Sequence, residues 1–189
     1  MEGSADPLPW IFLSILQPLS VGVVLGLLVM VVLLICSALI SGTEVAFFAL
    51  TPQDRKELEE SNSKLSDLIL KLLDKPKKLL ATVLIGNNFV NVAIVIISTF
   101  IMDRAFAFGD NAVLAFVIQI VAVTLLILLL GEIIPKVYAN RYSLRWVALM
   151  ARPIAFLSRV VSPLSHWLIQ STSLIDRKAE QNASNNISV

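Results

Sequence analysis

The sequence has almost nothing with which to hold a soft metal: one cysteine, Cys36, and one histidine, His166, in 189 residues. A lone Cys excludes an intrachain disulfide, and one Cys with one His excludes a zinc-type site. Charge is also scarce, at 15% of residues, and it sums to +1, which removes the electrostatic case for a nucleic-acid partner. No lysine or arginine occurs before Arg55, and Met1–Pro9 carries two acids, so the basic start of a signal peptide is missing. No nucleophile–base pair and no phosphate loop is visible, so an enzyme is not expected.

What fills the chain instead is apolar side chain: 57% of residues, with a mean hydropathy of +0.82. Three runs, Val21 to Leu50, Leu79 to Met102 and Ala112 to Ile134, are each long enough to cross a hydrocarbon core about 30 Å thick. Lipid offers no partner to an unpaired backbone group, so the spans are helical. Cys36 sits inside the first run and reads as a small packing residue. The expected fold is an all-α membrane protein of three transmembrane helices plus cytoplasmic juxtamembrane amphipathic helices.

Basic residues set the orientation. Seven lie between the first two spans, one (Arg104) between the second and third, and seven after the third. The positive-inside rule then places the N-terminus outside and both the 51–78 connection and the C-terminus in the cytoplasm. In that connection, Thr51-Pro52 reads as an N-cap followed by proline at the first helical position, with Asp54 in the first turn. Leu58, Leu65, Leu68, Ile69, Leu72 and Leu73 recur at helical spacing, predicting one or two amphipathic helices over about 52–75, with a break at Ser61-Asn62-Ser63. Six acids nearly cancel the seven basic residues there, so net charge does not indicate anionic-lipid binding.

Residues 137–170 are apolar but interrupted by Arg152, Arg159, Pro153 and Pro163. A fourth span would bury two arginines, so helices at the cytoplasmic surface fit better, with Trp146 and Trp167 at headgroup depth. Residues 1–19 form an extracytoplasmic segment in which Leu8 to Leu16, including Trp10, lies at the interface and ends at Pro18. Residues 176–189 have the composition of a flexible tail. The sequons at Asn182 and Asn186 face the cytoplasm in this topology, and no glycosylation is expected there.

The uncommon residues are polar groups inside the spans. Ser41 precedes Leu50 by nine residues, about 14 Å of helix. In "IGNNFVNV", Asn87, Asn88 and Asn91 follow Lys78 by roughly 14–20 Å. Glu132 of "LLLGEIIPK" stands roughly 6 Å before Lys136, and a kink at Gly131 or Pro135 would carry it deeper. Asn87 and Asn91 share a helix face, whereas Asn88 is rotated by about 100°. Gly42, Gly86 and Gly131 each adjoin a polar residue, where a glycine permits close backbone approach or a freed carbonyl. Serine, asparagine or glycine alone is more often interhelical packing than ligand. A glutamate inside a span costs a few kcal/mol, and its default reading is functional. An all-oxygen set suits a hard cation: Mg²⁺, or less selectively Na⁺ or Ca²⁺. Glu44 has three readings: a second ligand, an entrance or gating charge, or the partner of Lys136. Asp103 and Arg104 end the second span, and His166 is given no metal role.

The ordered trio "SGTEVAFFAL", "IGNNFVNV" and "GEIIPK", one motif on each span, resembles the transmembrane module of the CorC/CNNM family, the DUF21 domain. The likeness covers about residues 20–175, and within the family the chain is similar to the gliding-motility-associated GldE-type proteins. The resemblance implies a homodimeric module of the bacterial inner membrane with three spans and a cytoplasmic helical belt. It also implies Mg²⁺ export, coupled to Na⁺. The family's Mg²⁺ ligands fall here on Ser41, Asn87, Asn91 and Glu132, with backbone carbonyls around Ser41 and Gly42 completing the shell. Members usually continue into a cytoplasmic CBS pair that binds ATP; that region is absent from this chain, so no nucleotide site is expected in it. The competing reading is a non-transporting scaffold of a gliding or secretion apparatus, in which the polar cluster serves helix packing and the belt docks a partner.

Overall fold

The computed structural model describes residues 20–61, 63–105 and 112–162. The expected outer segment 1–19, the tail 176–189, His166 and Trp167 lie outside the described residues. All regular structure among the described residues is helical. The helices are α1 (Val21–Phe48), α2 (Pro52–Glu60), α3 (Lys64–Leu73), α4 (Pro76–Ala105), α5 and α6 (Ser143–Val160). The fifth, α5, runs as three consecutive stretches: Ala112–Leu126, a π-helical Ile127–Ile133, and Ile134–Arg141. Three helices are long and apolar enough to cross a membrane: Val21–Phe48, Pro76–Arg104 and Val113–Arg141.

The third of these continues to Arg141, past the Ile134 at which hydropathy alone ends the span. Proline lacks an N–H, so Pro135 cannot bond the carbonyl one turn back, and its ring crowds that turn. The chain accommodates it by widening: the π-helical turns end at Ile133, and the Ile134 N–H reaches back five residues to the Leu129 carbonyl. The helix is locally unwound rather than broken, so Glu132 stays on a helix that runs unbroken into Lys136.

The described residues divide into two compact units, and each long helix contributes a part to both. The first unit holds residues up to Ala38 and Val90–Ile134. Its apolar core is small, with Leu34, Ile94 and Val123 buried and Met30, Leu33, Val90 and Ile127 packed around them. Leu25, Leu28, Ile96, Phe116 and Val117 are exposed, as befits residues solvated by acyl chains. At one end Arg104 stacks over the Phe100 ring, 4.2 Å from its centroid.

The second unit comprises Leu39–Phe89 and the residues from Pro135 onward. Its core is larger: Phe47, Ile69, Val83, Ala139, Val147 and Ile154 are among eleven buried apolar residues. In α6 the buried residues Val147, Met150, Ala151, Ile154 and Ser158 recur at helical spacing, while Arg152 and Arg159 are exposed. That one-sided pattern makes α6 amphipathic, and it is not among the three helices apolar enough to span. Thr51 and Asp54 form a reciprocal cap at the start of α2: Asp54 N–H donates to Thr51 Oγ1 (3.1 Å), and Thr51 N–H donates to Asp54 Oδ2 (2.8 Å). Ser63 caps α3 by accepting from the Ser66 N–H at 3.0 Å.

Candidate functional site

In the first unit, Asn91 of α4 and Glu132 of α5 come together. The Asn91 side-chain amide donates to Glu132 Oε1 at 3.4 Å, and Asn91 Oδ1 accepts from the Ser37 hydroxyl at 2.7 Å. The amide thus links a buried hydroxyl to a half-buried carboxylate. Gly131 makes the approach feasible, because a Cβ there would stand 3.0 Å from Ser37 Oγ. The π-helical stretch of α5 contains both Gly131 and Glu132, which is a common location for irregular helix at functional positions.

Ser37 carries no weight in the sequence reading, which starts its polar set at Ser41. The signal was there in "CSALIS": Ser37 and Ser41 are four apart and share a face of α1. Asn87 and Asn91 repeat that spacing on α4. Asn88 is exposed and returns its amide to the Leu84 carbonyl of its own helix at 2.9 Å.

Ser41, Gly42, Glu44, Asn87 and Lys136 belong to the second unit. Ser41 is 1% exposed, and its Oγ has no hydrogen-bond partner among the described residues. A buried hydroxyl without a protein partner carries a desolvation cost of about 1–3 kcal/mol. Gly42 has a packing role: a Cβ there would stand 2.6 Å from the Trp146 ring. That indole donates to the Leu39 carbonyl at 3.3 Å, and the same carbonyl accepts from the Thr43 hydroxyl at 2.6 Å. Trp146 is thus half-buried against α1 within this unit. Gly86 also serves packing, with the flexible tip of Leu157 2.7 Å from where a Cβ would sit.

Glu44 and Lys136 pair at 3.5 Å. Both side chains are about two-fifths exposed, and both line an open pocket of about 370 Å³ together with Val45, Phe48, Ala49 and Asn140. Of the three readings of Glu44, its direct contact in this structure is the ion pair. Among the described residues no three His, Cys, Asp or Glu side chains gather, so any cation held here rests on hydroxyl, amide and carbonyl oxygens around single carboxylates.

The family model of the Cyclin M transmembrane N-terminal domain, CNNM, matches residues 28–188. The chain is 30% identical over 142 residues to a UPF0053 protein of Haemophilus influenzae, covering 75% of this chain and 32% of that one. It is 29% identical over 135 residues to the UPF0053 inner membrane protein YfjD of Escherichia coli, covering 71% and 30%. A chloroplastic DUF21 domain-containing protein of Arabidopsis thaliana is 32% identical over 139 residues, covering 72% and 20%. The chain therefore spans about a third or less of the length of these relatives. With three apolar helices of spanning length and a family match over most of its residues, this chain is an integral membrane protein and belongs to the CNNM transmembrane-domain family.

Proposed function

We propose that the module transports Mg²⁺ across a bacterial inner membrane, with Ser41, Asn87, Asn91 and Glu132 as the oxygen ligands of the cation in transit. The observation that carries this reading is the pairing of Asn91 with Glu132 beside an unwound, glycine-bearing stretch of a membrane helix. The buried Ser41 hydroxyl without a partner supports it, since a hard cation would supply what that oxygen lacks. Glu132 provides the formal charge. The neutral oxygens set geometry and keep binding weak enough for release. Ser37 positions Asn91 and would hold its amide when the cation takes the amide oxygen.

In this proposal the N-terminus is outside and the C-terminus cytoplasmic, because 14 of the 15 basic residues then lie on the inner side. The pocket beside Glu44 and Lys136 serves as the inner entrance, with the ion pair as its gate. Export works against a negative-inside potential of about 2.3 kcal/mol per charge per 100 mV, so an inward Na⁺ gradient is the proposed energy source. The working unit is a homodimer, as the family resemblance implies.

The test is thermal unfolding in detergent with and without Mg²⁺. Glu132→Gln and Asn91→Ala should each abolish the Mg²⁺-dependent rise in Tm, and an unchanged rise in both would sink the site. A liposome flux assay separates the transporter from the scaffold reading, in which Ser37, Asn91 and Glu132 only pack helices. Mg²⁺ flux that depends on Glu132 supports transport; its absence in a folded, reconstituted wild type supports the scaffold.

A further inference from the structure

Net charge over residues 51–78 conceals a separation that folding makes. Of the six acids, four lie on or beside α2 and Asp74 ends α3: Glu59 and Asp74 flank Arg55 at 3.7 and 3.0 Å, Glu60 lies 3.8 Å from Lys56, and Asp67 is exposed in the first turn of α3. Lys71, Lys75 and Lys78 are left without a carboxylate within 4.0 Å among the described residues. These three lysines, with Leu72, Leu79 and Ser158, line a pocket of about 80 Å³ within the second unit.

The pocket has the parts of an anion site. Lys78 is half-buried, and its ammonium donates to Ser162 Oγ at 3.2 Å. Ser158 is only 9% exposed and brings a hydroxyl to the pocket lining. The 30-residue helix α4 begins at Pro76 with no acid in its first turn, adding the positive end of a helix to the same locality. Three cations around one cavity repel each other, and an anion bound among them relieves that repulsion. The volume holds a group of a few water molecules' size, comparable to one tetrahedral oxyanion.

Position narrows the chemistry. The apolar run of α4 starts at Leu79, the residue after Lys78, so the pocket lies where a membrane span meets water. We propose that Lys71, Lys75, Lys78 and Ser158 form a binding site for a phosphate group. At a span end the phosphate of an anionic lipid reaches the pocket directly, and free phosphate is the alternative source of the same chemistry. A site at this place would tie the α3–α4 corner and the packed face of α6 to the composition of the surrounding leaflet.

The test follows Tm in phosphatidylcholine–detergent micelles titrated with phosphatidylglycerol or, separately, with inorganic phosphate. Wild-type protein should show a saturable rise in Tm with at least one of the two. The apparent affinity should fall about fivefold for each of Lys71→Gln, Lys75→Gln and Lys78→Gln, and roughly a hundredfold for all three together. Saturation by the lipid alone assigns a headgroup site, and saturation by inorganic phosphate alone assigns a soluble ligand. Replacing the three lysines by arginine should keep the response, so a glutamine variant that fails to fold does not decide the outcome. No saturable response to either ligand overturns the proposal. So does an equal loss in Lys64→Gln, which lies outside the pocket.

Discussion

The two units of this molecule are held together by different means. The second has the core of an ordinary amphipathic helical domain, with Phe47, Ile69 and Ile154 fully buried, two capped helices and a tryptophan seated on a glycine. Among the described residues, the first buries a cluster of three apolar residues, with Val23 and Ile101 buried outside it. It ties its helices instead with polar links: Ser37 to Asn91 to Glu132, and Gln119 to Ser98 and Thr99 at 3.3 and 2.6 Å. Lipid tails are as apolar as leucine, so burying a leucine between membrane helices gains little. Close packing of small residues and interhelical hydrogen bonds take over that role. The lesson is that buried apolar area indexes stability in one unit and not in the other.

Truncating the core should break the comparison most visibly. Phe47→Ala in the second unit is expected to cost about 3–5 kcal/mol, seen as a large fall in Tm in detergent. As a like-for-like pair, Ile94→Ala in the first unit should cost less than Ile154→Ala in the second, because removing a side chain buried in a lipid-solvated bundle forfeits packing contacts but no transfer from water. Equal losses would mean that both units rest on the same kind of core.

Next in size is the glycine seat. Gly42→Ala would press a methyl group against the Trp146 ring and should cost about 1–3 kcal/mol. Adding Trp146→Leu should recover part of that loss in a double-mutant cycle. No coupling between the two positions would show that the contact does not limit stability.

The smallest effect is at the start of α2. The Thr51 hydroxyl, and then its backbone N–H, hold the Asp54 carboxyl below the usual carboxylate range. A depressed folded-state pKa means the cap's contribution is present above the ordinary carboxylate pKa and is lost as pH falls through the lowered value. The protection factors of the α2 amides, taken against the intrinsic exchange rate at each pH, should therefore fall on strong acidification, while Asp54→Asn should flatten that response. An identical acid response in the variant would place the titration elsewhere.

Much of this architecture is legible in the chain before any folding. The three spans, the Thr51–Asp54 cap and the one-sided face of α6 follow from local rules: hydropathy over about 20 residues, capping geometry and helical period. The outward turn of Asn88 follows from period alone. Glu132 stands out in sequence because a carboxylate in an apolar run is costly, and Asn91 because it shares a helix face with Asn87 four residues before it. Ser37 does not stand out, because a serine in a span is cheap and ordinary; only its contact with Asn91 marks it. Gly42 is read in sequence as a source of close approach, and the Trp146 ring that fills the space lies 104 residues further along the chain.

The sequence by itself determined where this protein crosses the membrane and which polar groups enter the spans. Those are properties of short segments in a solvent of known thickness. Tertiary structure alone decided which polar group meets which, how Pro135 is absorbed by a π-helical stretch, and how the charges of 51–78 sort into a neutralised face and a lysine-lined pocket. Such outcomes depend on contacts between residues far apart in the chain. A composition or a period averages over those contacts, so neither can carry them.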